Sequence, residues 1–301
     1  MNRETVRCPV EEGFLALMRG LDVCALRILL DTGSVRATVP MLRGVWGCTL
    51  REYDPLVYRA VFEGHSADGT ARNGHMSMPL YVMRPAPPDP DFAPAVEILF
   101  LGEACRHVAV LLEAFRRAGK AGLGRKREHF RVRQVRGVLP DGRQVGGPQV
   151  WSAGNAAGSS SKTLSNASGL RLAFEEPLRI LRHGKLIYTP SFVDMAVAGL
   201  RRLCALSPVS VPADFQSRAL DAARQLPTSG WRGHRQDLVR WSGRQKDRIE
   251  MRGVTGWLDL PGGAGLFRPL LAVLEWIHLG KGTVFGLGKL KLQTPQTGPC
   301  R

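Results

Sequence analysis

Gly280-Lys281-Gly282-Thr283-Val284-Phe285-Gly286-Leu287-Gly288-Lys289 is the stretch that decides how this chain reads. It follows an apolar run, Leu266 to Leu279, in which Leu270, Leu274 and Ile277 form the core line of a helix. It leads into a short strand, Leu290 to Leu292. Four glycines and two lysines fall within these ten residues. Glycine allows positive φ and close approach of backbone to another group, and the lysines add positive charge beside it. A strand from Gly253 to Leu260 precedes the helix, so the chain closes as strand, helix, glycine loop and strand.

The same alternation extends upstream. Residues 21 to 30, LDVCALRILL, read as a strand interrupted by Arg27. A helix spans about Met41 to Phe62, with Met41, Val45 and Cys48 on one face. Strands follow at Leu80 to Met83 and Val96 to Leu101, then a helix from Glu103 to Arg117 with Val108, Leu111, Leu112 and Phe115 as its apolar side. A basic strand comes next, in which Phe130, Val132 and Gln134 alternate with Arg131, Arg133 and Arg136. The low-complexity stretch SAGNAAGSSSKTLSNASG, residues 152 to 169, breaks the pattern. Beyond it LRLAFEEPLRIL reads as a strand with Pro177 at an edge or bulge. Thr189-Pro190-Ser191 opens a helix, and residues 214 to 226 form another. The expectation is an α+β chain of two ferredoxin-like units, residues 1–150 and 171–301, with a loop or linker at 151–170. A Rossmann sheet is disfavoured because no early strand leads through GxGxxG into a helix.

Of 301 residues, 42 are Lys or Arg and 26 are Asp or Glu, a formal charge of +16. Such a balance favours a polyanionic partner and says nothing about fold. No apolar run approaches the length of a membrane span, and residues 1–13 lack an apolar signal region, so a cytoplasmic location without membrane contact is expected. The six cysteines form no CxxC, and no His/Asp/Glu group has metal-ligand spacing, so neither a metal nor another cofactor is expected. The string GKGT resembles part of a P-loop, but GxxxxGK[ST] is absent.

Two basic segments stand out. Arg125, Lys126, Arg127, Arg131 and Arg133 offer one charged surface. Residues 231 to 252 hold Arg232, His234, Arg235, Arg240, Arg244, Lys246, Arg248 and Arg252, with Trp231 and Trp241. Arginines at 240, 244, 248 and 252 make a continuous stripe if the segment is helical. Like charges at that spacing repel, so a polyanion is the natural counter-charge. The tryptophans are either base-stacking platforms or packed anchors.

Gly253-Val254-Thr255-Gly256-Trp257-Leu258, an apolar helix and then His278-Leu279-Gly280 through Gly288 resemble the C-terminal end of the CRISPR repeat-processing endoribonucleases of the RAMP superfamily. Leu42-Arg43-Gly44-Val45-Trp46-Gly47 is similar to that family's LRG-x-x-G segment. Pro79-Leu80-Tyr81-Val82, Leu99-Phe100-Leu101-Gly102-Glu103-Ala104 and Gly122-Leu123-Gly124-Arg125 resemble further elements, so the likeness covers nearly the whole chain. The arginine-dense segment also resembles the arginine-rich helix of the type IV variants. The resemblance implies tandem ferredoxin-like domains and metal-independent cleavage of CRISPR repeat RNA. In that reaction the 2′-hydroxyl attacks the adjacent phosphate, leaving a 2′,3′-cyclic phosphate. It further implies retention of the stem-loop crRNA and association with effector subunits.

Cleavage of this kind needs proton transfer and cations around the phosphorane-like charge. Many relatives carry a histidine in or just after the first helix, and here that helix has none. His65 lies just beyond it and His75 further on. Arginine is a poor base but clamps phosphate well, so Arg27 and Arg43 are favoured over His65, with Arg248 or Arg244 reaching the phosphate from the basic segment. Gly280, Gly282, Gly286 and Gly288, with Lys281 and Lys289, are expected to cradle RNA. The alternatives are a non-catalytic RAMP scaffold subunit that binds crRNA and a DNA-binding regulator, the latter disfavoured by the lack of a helix-turn-helix.

Overall fold

Two apolar strands make the middle of the first sheet. In the computed structural model, which describes residues 8–64, 78–87, 94–124, 126–156, 169–242 and 247–295, β1 (Asp22–Asp31) lies between β3 (Ala95–Leu101) and β4 (Arg131–Val138). β2 (Tyr81–Pro85) pairs with β3, and β5 (Gln144–Gly146) and β6 (Trp151–Ser152) add to the other side. The order β2-β3-β1-β4 is antiparallel throughout. α1 (Pro9–Arg19) precedes β1, α2 (Val39–Tyr53) and the short α3 (Pro55–Tyr58) link β1 to β2, and α4 (Val108–Ala121) links β3 to β4. A split β-α-β arrangement of this kind is ferredoxin-like.

The second sheet repeats the order. β7 (Leu170–Leu178) sits between β11 (Asp247–Leu260) and β12 (Leu290–Gln293), with β10 (Arg232–Ser242) outside β11. β8 (Leu181–Arg182) and β9 (Lys185–Leu186) form a small separate hairpin. α5 (Phe192–Leu206) and α6 (Phe215–Gln225) link β7 to β10, and α7 (Arg268–Ile277) links β11 to β12. Ser191 caps α5 in a reciprocal box with Asp194, whose backbone N–H donates to the Ser191 hydroxyl at 3.2 Å. A register shift between Val254 and Gly256 places the bulge opposite the part of β7 that carries Pro177.

One apolar core runs through both halves. Trp46 anchors the first, with its indole N–H donating to Leu111 O at 3.0 Å and its ring edge-on to Phe62 and Tyr81. The buried face of α2 is therefore Leu42, Trp46 and Leu50, one or two residues along from the expected Met41, Val45 and Cys48; Cys48 is exposed. α1 packs against helices of the second half, where Phe14 meets Phe215 and Phe267. Trp151 meets Trp276 from α7.

Two expectations are corrected. Residues 231–252 are not an arginine-rich helical insertion but most of the β10–β11 hairpin, strands two and three of the second sheet. Arginines four apart satisfy a period of two as well as a helical one. Gly233 and Gly253 weaken a helix, and alternation decides for strand: Met251 is buried while Glu250 and Arg252 are exposed. The charges are also answered locally, Arg235 pairing with Asp237 and Arg252 with Glu250 two residues away along a strand. The narrower type IV resemblance thereby loses the feature it rested on. On β4, a bulge opposite Leu29/Leu30 puts Gln134 on the same sheet face as Arg136, so it joins the charged side rather than the packed one.

Candidate nucleic-acid interface

Arg27 and Glu97 each interrupt an apolar strand, and the register brings them together. Across the first sheet runs one charged rung, Arg84 on β2, Glu97 on β3, Arg27 on β1 and Arg136 on β4. Arg27 donates to Glu97 Oε1 from Nη2 at 2.7 Å and from Nε at 3.2 Å. Arg84 Nε donates to Oε2 at 2.8 Å. These side chains are only 18% (Arg27), 9% (Arg84) and 11% (Glu97) exposed, so their charges interact through little water. Burial alone would raise the Glu97 pKa; Arg84 and Arg27 outweigh it and hold the carboxyl below its usual 4.5. Arg27 is thus an ion-paired residue rather than an arginine on a solvent face.

His278 links this rung to the glycine loop. Its Nε2 accepts from Arg84 Nη1 at 3.2 Å, since arginine only donates, and its Nδ1–H donates to Leu287 O at 3.1 Å. The Arg84 contact requires the neutral ring, whereas the Leu287 contact holds with either form. Burial first, then the Arg84 charge, push the His278 pKa well below 6.5. A fully buried neutral imidazole of this kind orients its neighbours. Arg84 also donates to Glu275 O at 3.3 Å and lies over the Trp276 ring.

The loop glycines have φ of +82° (Gly280), +84° (Gly282), +85° (Gly286) and +67° (Gly288). Their close approach is largely to the protein itself. A Cβ on Gly288 would overlap the Leu279 carbonyl, and one on Gly280 would press on Arg179 O. Gly286 lies against Met83 and Arg84 of β2. Gly286 and Gly288 are buried, Gly280 and Gly282 are half-buried, and Lys281 is exposed. Lys289 is half-buried, and burial, followed by the Arg84 charge, lowers its pKa.

Arg43 makes no salt bridge with any of the described residues. Its guanidinium sits 5.5 Å from the Phe62 ring centre and 4.9 Å from that of Phe285, tying α2 to the glycine loop by cation–π contact. Its Nε has no hydrogen-bond partner among the described residues. Arg27 and Arg43 do not share a cluster: no hydrogen bond or ring contact joins them.

Lys126, Arg127, Arg131 and Arg133 are exposed at and before the start of β4. Arg232, Arg235 and Arg252 are exposed on the hairpin, and Arg235 also lies over Tyr188. Backbone register pairs Arg240 with Ile249 and Trp241 with Arg248. Trp231 packs toward Phe174 instead of standing open. His65, His75, Arg125, Arg244 and Lys246 lie outside the described residues. Arg84, Glu97 and His278 were not singled out from sequence. A lone acid within AVEILF, matching a lone arginine within LDVCALRILL, was the signal. Among the described residues no group of three or more His, Cys, Asp or Glu is placed to hold a metal.

A family model described as CRISPR-associated endoribonuclease Cas6 matches residues 172–290, and one described as an N-terminal domain matches 36–164. A Cas6 product complex superposes with a TM-score of 0.57 at 20% identity, covering 91% of this chain and 100% of that one. The chain has the Cas6 fold. A second Cas6 product complex gives a TM-score of 0.59 at 13% identity over the same shares of both chains. Thermus thermophilus Cas6 gives 0.54 at 14% identity, covering 91% of this chain and 98% of that one. Among curated proteins no sequence matches. No helix of the described residues is long and apolar enough to cross a membrane.

Proposed function

We propose that this protein is a Cas6-type endoribonuclease that cuts CRISPR repeat RNA by internal attack of a 2′-hydroxyl. One observation carries the reading. The Cas6 fold spans both halves, and near their junction it holds two separate basic positions: Arg27 and Arg84 around Glu97, with Lys289 feeling the Arg84 charge, and Arg43 of α2 against Phe285 of the glycine loop. Such a surface suits a phosphodiester whose charge grows during reaction.

In the reaction the O2′–P bond forms and the P–O5′ bond breaks. The 2′-oxygen loses a proton and the 5′-oxygen gains one. Arginine stays protonated, so Arg27 and Arg43 hold and orient the phosphate while solvent moves the protons. A His65→Ala variant checks this assignment and is expected to cut at the wild-type rate. The pair of ferredoxin-like sheets is read as the RRM-like duplication of such nucleases, with the hairpin stem against the basic face of β4 and the flanking strand in the junction. The cut crRNA stays bound in this scheme and reaches effector subunits as a complex, so mature crRNA should co-purify with the protein.

The test is cleavage of the organism's own repeat RNA in EDTA, beside RNA with a 2′-deoxy residue at the cut site. Cutting that survives EDTA and stops with 2′-deoxy is expected. Tight binding with no cutting of either RNA would make the protein a scaffold subunit.

A further inference from the structure

A cleft of about 380 Å³ opens between the halves, in the range of small-ligand sites. Its walls include Val39 and Leu42 of α2, Val96 of β3, Met251 of the hairpin and Phe285 of the glycine loop. Polar groups are few: Arg36 and Thr38 at the start of α2, and Glu176 on β7. Glu176 is half-buried. It makes no ion pair or hydrogen bond with any described residue, and neither does Arg36. In a chain of +16, a carboxylate that lines a cleft with Arg36 and pairs with none of the described residues has no evident role in holding them together.

We infer that this cleft is a recognition pocket for one unstacked guanine of a single-stranded RNA, read by Glu176. The inference rests on the RNA-binding part of the proposed function. A carboxylate has only acceptors. Guanine presents two adjacent donors on its Watson–Crick edge, N1–H and the N2 amino group, which suit both oxygens. Adenine, cytosine and uracil each put an acceptor next to their single donor position, and that acceptor would face the carboxylate. Apolar walls and the Phe285 ring provide the stacking surface on which open bases are held. Arg36 supplies a cation for the adjoining phosphate. The pocket also adjoins one of the proposed phosphate-holding residues, since Phe285 contacts Arg43.

The experiment is fluorescence anisotropy of the full chain with labelled UUGU and with the same tetranucleotide carrying inosine for guanine. Inosine lacks only the N2 amino group. Wild-type protein should bind the guanine form about tenfold tighter, the scale of one lost donor in a base contact. Glu176→Ala should abolish that difference. Arg36→Ala should weaken both oligonucleotides alike and keep the difference. Equal binding of the two by the wild type, or a difference that survives Glu176→Ala, overturns the inference. Because no cutting is involved, a protein that cleaves its repeat but ignores inosine loses the pocket alone. One that distinguishes inosine but never cleaves loses the nuclease reading alone.

Discussion

The two sheets share a strand order and place their arginines in opposite ways. In the first, β2 and β3 span five and seven residues, and Arg84 and Arg27 are held at low exposure around one carboxylate. In the second, the corresponding β10 and β11 span eleven and fourteen residues, and Arg235 and Arg252 are exposed beside acids on their own strands. β7 pairs with β11 only from Val254 onward, so the distal hairpin is a two-stranded arm. Such an arm is marginal by itself, and Met251, buried beneath it, is one of its fastenings. Buried, fixed cations suit a phosphate that must be aligned. Exposed, locally neutralised ones suit loose contact with a long polyanion.

The strongest way to break the contrast is at Glu97. Glu97→Ala leaves Arg27 and Arg84 without their counter-ion, and breaking a buried pair costs roughly 3–5 kcal/mol; urea unfolding should show it. The carboxyl pKa is depressed in the fold, so its stabilisation is present above about pH 4.5 and lost as pH falls through the folded value. A Glu97→Gln variant should lose less stability than wild type on acidification below that pH.

Gly288→Ala is expected to destabilise by roughly 2–3 kcal/mol, because φ is positive and the Leu279 carbonyl fills the Cβ position. A shift in thermal midpoint reads it. An unchanged midpoint would show that the loop is not braced on its own backbone.

His278 gives a smaller, pH-dependent effect. Its folded pKa lies well below 6.5, so below about pH 6.5 the unfolded chain takes a proton that the folded chain refuses. Stability should therefore fall between pH 7.5 and 5.5, and His278→Gln should flatten that fall.

The arm should respond least in stability. Arg252→Ala ought to change unfolding free energy by about 0.5 kcal/mol or less. It should still weaken hairpin RNA binding and reduce the salt slope by about one. A change in the cleavage step itself would erase the distinction between the sheets.

Much of this frame was legible in the chain. The apolar strands at 22–31, 95–101 and 170–178 and the capped start of α5 carry strong local signals. The arm was misread because arginines four apart suit either period, and only the buried Met251 beside exposed Glu250 and Arg252 separates the two. The rung was hidden for a different reason. Arg27, Arg84 and Glu97 are joined by strand register, a non-local property, and neither Arg84 nor Glu97 sits in a motif. His278 was quoted only as a flank of the glycine run, although its position between Arg84 and Leu287 O fixes that run against the sheet.

The most direct test of the account is single-turnover cleavage of the repeat RNA at saturating protein, in EDTA, comparing Arg27→Ala and Arg43→Ala with Arg235→Ala and Arg252→Ala. The account predicts that the junction variants lower the rate constant at saturation by about tenfold or more, the scale of a lost charge contact to the reacting phosphate. The arm variants should move only the concentration needed to saturate. Junction variants that cut at the wild-type rate once saturated, or arm variants that lower the saturated rate as much, would contradict it.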